Sequence, residues 1–123
     1  MKIQRMTLEE FKAMQGTGKR RSKYRAQPVV IDGERFDSKL EATRWLQLLT
    51  MQRAGIISDL RRQVPFVLID KSEHGRAIVY KADFVYTQDG SEIVEDAKGF
   101  KTDVYQLKKR LMAERYGIII QEV

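Results

Sequence analysis

The sequence predicts an α+β fold, a mixed β-sheet flanked by helices, with the core order α-β-β-β-α-β and a basic arm in front of it. Three observations predict it. Three strand-like runs, separated by short polar turns, sit between two segments rich in helix formers and bounded by capping residues. An all-apolar tripeptide, Ile at 118–120, follows the second helical segment as a short buried strand would. The chain has 123 residues, 42% hydrophobic and 33% charged, which suits one hydrophobic core in both size and composition. No internal repeat and no long linker interrupts the chain after Ser38.

The elements follow in order. Residues 7–10, TLEE, form a capping-box pattern that opens a short helix with Leu8, Phe11 and Met14 on one side. Residues 15–25, QGTGKRRSKYR, contain two glycines and no apolar periodicity, and read as a flexible basic segment. VVI at 29–31 and ERF at 34–36 flank Asp32-Gly33, the signature of a tight hairpin. Ser38 is placed to cap a helix, KLEATRWLQLLTMQRA, that Gly55 ends. Strands are expected over residues 62–69, 76–87 and 92–98, with polar turns at 70–75 and 88–90. Pro65 marks the first of these as an edge strand or as irregular near its start. Thr102 or Asp103 caps a second long helix, which Gly117 terminates. The expected division is residues 1–28 as short helix and arm, and 29–123 as the domain.

Charge is distributed unevenly. Lys plus Arg number 23 against 17 Asp plus Glu, a formal +6. Residues 1–30 carry eight basic side chains (Lys2, Arg5, Lys12, Lys19, Arg20, Arg21, Lys23, Arg25) against Glu9 and Glu10, the whole surplus, while residues 31–123 are balanced at fifteen of each sign. A basic arm on a neutral domain favours an anionic partner, most simply nucleic acid, although a solvated tail has the same composition. The absence of cysteine excludes disulfides, thiolate zinc sites and cysteine nucleophiles. A single histidine, His74 in the polar turn KSEHG, excludes chemistry built on several imidazoles and reads as a surface loop residue. No apolar run approaches the roughly 20 residues of a membrane span. The start, MKIQRMTLEEFK, lacks the apolar region of a signal peptide, so a cytoplasmic location without membrane contact is expected.

The candidates for chemistry are acids on strands. In EIVEDAK, period-two alternation puts Val94, Asp96 and Lys98 on one face and Ile93, Glu95 and Ala97 on the other. Asp83 is embedded in an apolar and aromatic strand, YKADFVY, where a carboxylate is costly unless paired or metal-bound. If the 88–90 turn joins these strands as a hairpin, Asp83 and Asp96 become cross-strand neighbours within reach of one divalent cation, and all-oxygen ligands suit Mg²⁺ or Mn²⁺. Glu41 lies about 40° from Trp45 and about 20° from Leu48 around its helix, on the face that packs inward. Capping at Ser38 is the competing explanation for Glu41. An ion pair with Asp96 or Asp83 is the competing explanation for Lys98. Lys101, Tyr105, Lys108 and Lys109 share one face of the last helix, with Leu107, Leu111 and Met112 more inward. That face suits a DNA backbone or plain solvent. Tyr80, Phe84, Tyr86 and Trp45 are expected in the core or an interface.

FDSKLEA with Glu41, KADFVY with Asp83, and VEDAKG with Asp96 and Lys98 resemble the PD-(D/E)XK nuclease superfamily, whose core order is the one read above. More closely, the chain resembles a small phage and prophage family catalogued as a domain of unknown function and assigned to that superfamily. The added markers are ISDLRRQ, VEDAKGF and the YxxKKRL helix, and the similarity runs from about Lys23 to the end. The resemblance implies a restriction-endonuclease-like fold, with Asp83 and Asp96 as metal ligands, Lys98 orienting or activating water, and Glu41 supporting the site. Ala82 stands where the superfamily name has proline. The function so implied is that of a Mg²⁺- or Mn²⁺-dependent DNA endonuclease in a bacterial host, phage- or prophage-encoded. By analogy with small members it acts on branched or junction DNA, as a homodimer, in replication or recombination. Lys19, Arg20, Arg21, Lys23 and Arg25, with the basic face of the last helix, would hold the DNA. The alternatives are a DNA-binding protein that kept the fold without cleavage, and a partner-binding module.

Overall fold

The computed structural model describes residues 4–14, 27–97 and 101–123. They form two mixed sheets flanked by helices. In the first sheet, β1 (Gln4–Met6) runs parallel to β2 (Val29–Ile31), which pairs antiparallel with β3 (Glu34–Phe36). The turn between β2 and β3 has Asp32 at φ 50° and Gly33 at φ 86°. Positive φ at both central residues is what lets a two-residue turn match the twist of its strands. Helix α1 (Leu8–Met14) starts as its capping box requires, with the Glu10 amide donating to Thr7 Oγ1 at 3.2 Å.

The second sheet has the order β4-β5-β6-β7, made of β4 (Ser58–Ile69), β5 (Ile78–Gln88), β6 (Ser91–Asp96) and β7 (Gln121–Glu122). Helix α2 (Lys39–Arg53) precedes it and α3 (Asp103–Tyr116) joins β6 to the parallel β7. From α2 onward the order is the expected α-β-β-β-α-β. Ser38 caps α2 by accepting from the Glu41 amide at 3.1 Å, and Thr102 caps α3 by accepting from Tyr105 at 3.0 Å. Gly117, at φ 69°, ends α3 in the left-handed conformation. β4 is an edge strand, one of the two arrangements expected from Pro65. None of the helices among the described residues is long and apolar enough to cross a membrane.

Packing divides the interior. Leu68, Tyr80, Ala82, Val85, Val94, Tyr105, Met112 and Ile120 form a cluster under α3, while Leu48, Ile57, Phe84, Tyr86 and Ala97 form one under α2. A third joins Phe11, Val29, Ile31, Phe36 and Ala42. Trp45 links the second to the third, stacking on Phe84 with ring centroids 6.1 Å apart. Because Phe11 and Met6 of β1 contribute to this third cluster, residues 4–14 are packed on the same folded unit as residues 29–46.

Two expectations are corrected. The closing strand is not residues 118–120: β7 is Gln121–Glu122, Ile119 is exposed and Ile120 alone of the three is fully buried. After the left-handed Gly117 the chain needs three residues to return to β6, where Gln121 and Glu122 meet Glu95 and Asp96. In α3, Leu107 points to solvent instead of inward, because Tyr105 and Met112, seven residues apart, set the buried face.

Candidate functional site

Among the described residues four acids are buried: Glu41 (3% exposed), Asp83 (7%), Glu95 (2%) and Asp96 (0%). Ionised carboxylates tolerate such burial only with partners, and the partners separate these four into three sets: the pair Glu41 and Asp83, then Asp96, then Glu95.

Asp83 lies where the sheet changes face. Tyr80, Ala82, Phe84 and Tyr86 have the same parity on β5, yet the first two pack under α3 and the last two under α2. The neighbouring strand does the same, since the Arg62 guanidinium lies over Phe36 on the α2 side, 3.9 Å from the ring centroid, and Val64 packs under α3. The pairing Arg62↔Phe84 and Val64↔Ala82 sets Gln63 opposite Asp83 at this switch. Gln63 has φ 53°, a left-handed conformation uncommon for a residue other than glycine and one that adds kink and twist to an edge strand.

The switch brings two acids together. Glu41 does not turn back on its own helix terminus. Its Oε1 accepts from Gln63 Nε2 at 3.2 Å and from Arg62 Nη2 at 3.3 Å. The same Gln63 Nε2 donates to Asp83 Oδ1 at 3.3 Å, and Asp83 Oδ2 accepts from the Ala97 amide at 2.9 Å. Burial, and then the charge of Asp83, push the Glu41 carboxyl up to about 7, against the opposing pull of Arg62. Among the described residues, the two acids are thus bonded by one neutral amide, one backbone amide and one arginine.

The β5–β6 hairpin delivers the third acid. Its register includes Val85↔Val94 and ends at Phe84↔Glu95, one residue short of Asp83 and Asp96. Asp96 Oδ2 accepts from the Tyr80 hydroxyl at 2.7 Å, deep under α3. Burial, and then the charge of Asp96, hold Tyr80 well above the usual phenol range, so it stays a proton donor. Lys98 lies outside the described residues. Among the described residues, no three acidic or imidazole side chains gather into one metal-binding group. The donor set of Glu41 and Asp83 still fits a hard divalent cation, being all oxygen and converging on a single amide.

Glu95 faces away from Asp96, as alternation requires, into a closed network. Arg44 embraces it with two bonds, Nε to Oε1 at 2.8 Å and Nη2 to Oε2 at 2.7 Å, and the Tyr86 hydroxyl donates to Oε2. Burial, and then the bond to Glu95, push Tyr86 up to about 12.

The basic face of α3 is altered by its neighbours. Tyr105, expected at the DNA surface, is buried, and its hydroxyl donates to Glu122 at 2.9 Å. Lys109 and Lys101 reach the same carboxylate at 3.2 and 3.6 Å, and Lys108 is half-buried. Lys19, Arg20, Arg21, Lys23 and Arg25 lie outside the described residues. His74 is exposed in its turn. Nothing in residue type marked Gln63, Tyr80 or Arg44. Their roles depend on a backbone reversal and on cross-strand partners, and only the buried acids they serve were visible in the sequence.

The chain belongs to the family DUF1064, described as proteins of unknown function, whose model matches residues 21–121. No curated protein and no solved structure matches it.

Proposed function

We propose that this chain is a Mg²⁺- or Mn²⁺-dependent DNA endonuclease of the PD-(D/E)XK kind, acting on branched or junction DNA in phage replication or recombination. The observation that carries the proposal is the convergence of Glu41, from a helix, and Asp83, from a strand, on one amide beside the hairpin that presents Asp96. Hydrolysis of a phosphodiester requires a nucleophile at neutral pH and positive charge against the phosphate oxygens. A bound divalent cation supplies both.

The protein's own groups have distinct tasks. Glu41 and Asp83 would hold the cation, with Asp96 as the third acid of the set. The Ala97 amide fixes Asp83 from one side, and Tyr80 fixes Asp96. Lys98, two positions after Asp96, is the ammonium that the resemblance assigns to water and phosphate. Lys19, Arg20, Arg21, Lys23 and Arg25 hold the DNA backbone, joined by Lys108 and by Lys101 and Lys109 where phosphate competes with Glu122. A homodimer acting in the cytoplasm of a bacterial host completes the proposal by analogy with small members of the superfamily.

One observation favours a second reading, a DNA-binding protein that retained this fold without cleavage: Asp96 is engaged by Tyr80 and no group of three acids forms among the described residues. A single experiment separates the two. Wild type, Asp83→Asn and Asp96→Ala are incubated with linear, nicked, flapped and four-way DNA in Mg²⁺ or in chelator. Cleavage by wild type that both variants and the chelator abolish supports the endonuclease. Cleavage that persists in chelator removes the metal site, and tight binding of four-way DNA without any cut product moves the assignment to the second reading.

A further inference from the structure

We propose that Gln63 is a switchable member of the cation site: with no cation its amide nitrogen bridges Glu41 and Asp83, and with a cation bound the amide turns to offer its carbonyl oxygen as a neutral ligand. This rests on the metal-dependent reading above. Three features lead to it.

First, the two hydrogens of Nε2 are divided between Glu41 Oε1 at 3.2 Å and Asp83 Oδ1 at 3.3 Å. Carboxylates only accept, so the nitrogen has to face them and the oxygen of the same amide faces away. Second, the terminal torsion of glutamine is broad and roughly two-fold, so exchanging nitrogen for oxygen costs little in itself. The sign of the local charge decides which end faces the acids. Two neighbouring carboxylates favour the hydrogens, whereas a dication held by them repels those hydrogens and attracts the carbonyl dipole.

Third, the chemistry of the side chain suits a switch. A lysine at this position would neutralise the pair permanently and compete with any cation. The fixed charge of Arg62 serves Glu41 alone of the two acids, its Nη2 bond at 3.3 Å, and the guanidinium lies over Phe36, 3.9 Å from the ring centroid. Among the described residues, the neutral amide is the side chain bonded to both acids. Its backbone is held at φ 53° within β4, a left-handed conformation uncommon for a residue with a side chain.

Two measurements on the full chain test this at pH 8. Mn²⁺ affinity is read from the free-ion electron paramagnetic resonance signal for wild type, Gln63→Leu, Gln63→Glu and Asp83→Asn. The expected pattern is weakening of about tenfold or more in Gln63→Leu, as for loss of a group that supports a metal site, and retained or tighter binding in Gln63→Glu. In wild type, the Gln63 side-chain NH₂ resonances, identified by their loss in Gln63→Glu, should shift as Mg²⁺ is added. Unchanged or tighter binding in Gln63→Leu, or NH₂ resonances that stay fixed while the Ala97 amide responds to Mg²⁺, overturns the switch and leaves the cation site standing. Wild type that binds no Mn²⁺, or binds it no better than Asp83→Asn, overturns the cation reading itself.

Discussion

Glu95 and Glu41 are buried to nearly the same degree, and their surroundings are opposite. Glu95 is met by two charge-assisted bonds from Arg44 and a third from Tyr86, so its charge is balanced where it lies. Glu41 shares one neutral amide with a second acid, and among the described residues Arg62 is the cation bonded to it. The first arrangement is finished as folded, and nothing further is needed to hold it. Among the described residues the second sets two acids against one arginine, an arrangement that favours taking up a cation. Sequence position does not separate the two kinds of acid. Their partners do.

The most severe way to break the comparison is Arg44→Ala. It strands Glu95 in the interior, and a buried charge that loses its partner costs about 3–5 kcal/mol. Urea unfolding at pH 8 should show that loss, and Mg²⁺ should not restore it. A variant as stable as wild type would mean that Glu95 is not held as a buried ion.

Glu41 responds to pH with the opposite sign from an ordinary buried ion pair. Its carboxyl is pushed up to about 7 from an ordinary 4.5, so the folded state binds its proton more tightly than the unfolded chain does. The favourable contribution is complete below pH 4.5 and is lost as pH rises through 7, on the order of 3 kcal/mol at about 1.4 per unit. Glu41→Gln should therefore be more stable than wild type at pH 8 and equal to it near pH 4. Mg²⁺ should stabilise wild type at pH 8 and shrink the difference. A variant that is less stable at pH 8 would show that Arg62 neutralises Glu41 after all.

A smaller effect concerns the basic segment. Residues 4–14 are packed through Phe11, so removing the N-terminus would also strip part of the fold. Replacing Lys19, Arg20, Arg21, Lys23 and Arg25 by Gln is the cleaner change. The expected result is weaker DNA binding, with a salt slope flattened by roughly 0.9 for each phosphate no longer neutralised, and unchanged melting. An unaltered slope would make the segment a solvated tail.

The smallest effect separates hairpin stability from site chemistry. Gly90, at φ 78°, closes the β5–β6 turn that presents Asp83 and Asp96. Gly90→Ala should cost about 1 kcal/mol by strain at positive φ, by thermal melting, and equally with or without Mg²⁺. A Mg²⁺-dependent cost would mean the turn sets the spacing of the acids.

Much of the fold was legible because it is specified locally. Asp32-Gly33, Ser38, Thr102 and Gly117 act on their own neighbours, so the turn, both helix starts and the last helix end follow from residue type. Alternation in EIVEDAK correctly put Glu95 and Asp96 on opposite faces, because β6 is regular. The same rule fails on β5, where parity reverses at Asp83, and on the apolar run at 118–120, where a return from α3 displaced the strand. β1 was not visible at all, since three residues take strand form there only by pairing with β2.

By itself the sequence determined the order of elements, the acids worth attention and the segregation of basic charge into one segment, all properties of composition and short-range pattern. Tertiary structure alone decided which acid is neutralised and which is left short of charge. That outcome depends on Arg44, Arg62 and Gln63 reaching carboxylates 20 to 51 residues away in the chain. Electrostatic energy follows distance in space and local burial, neither of which residue order records.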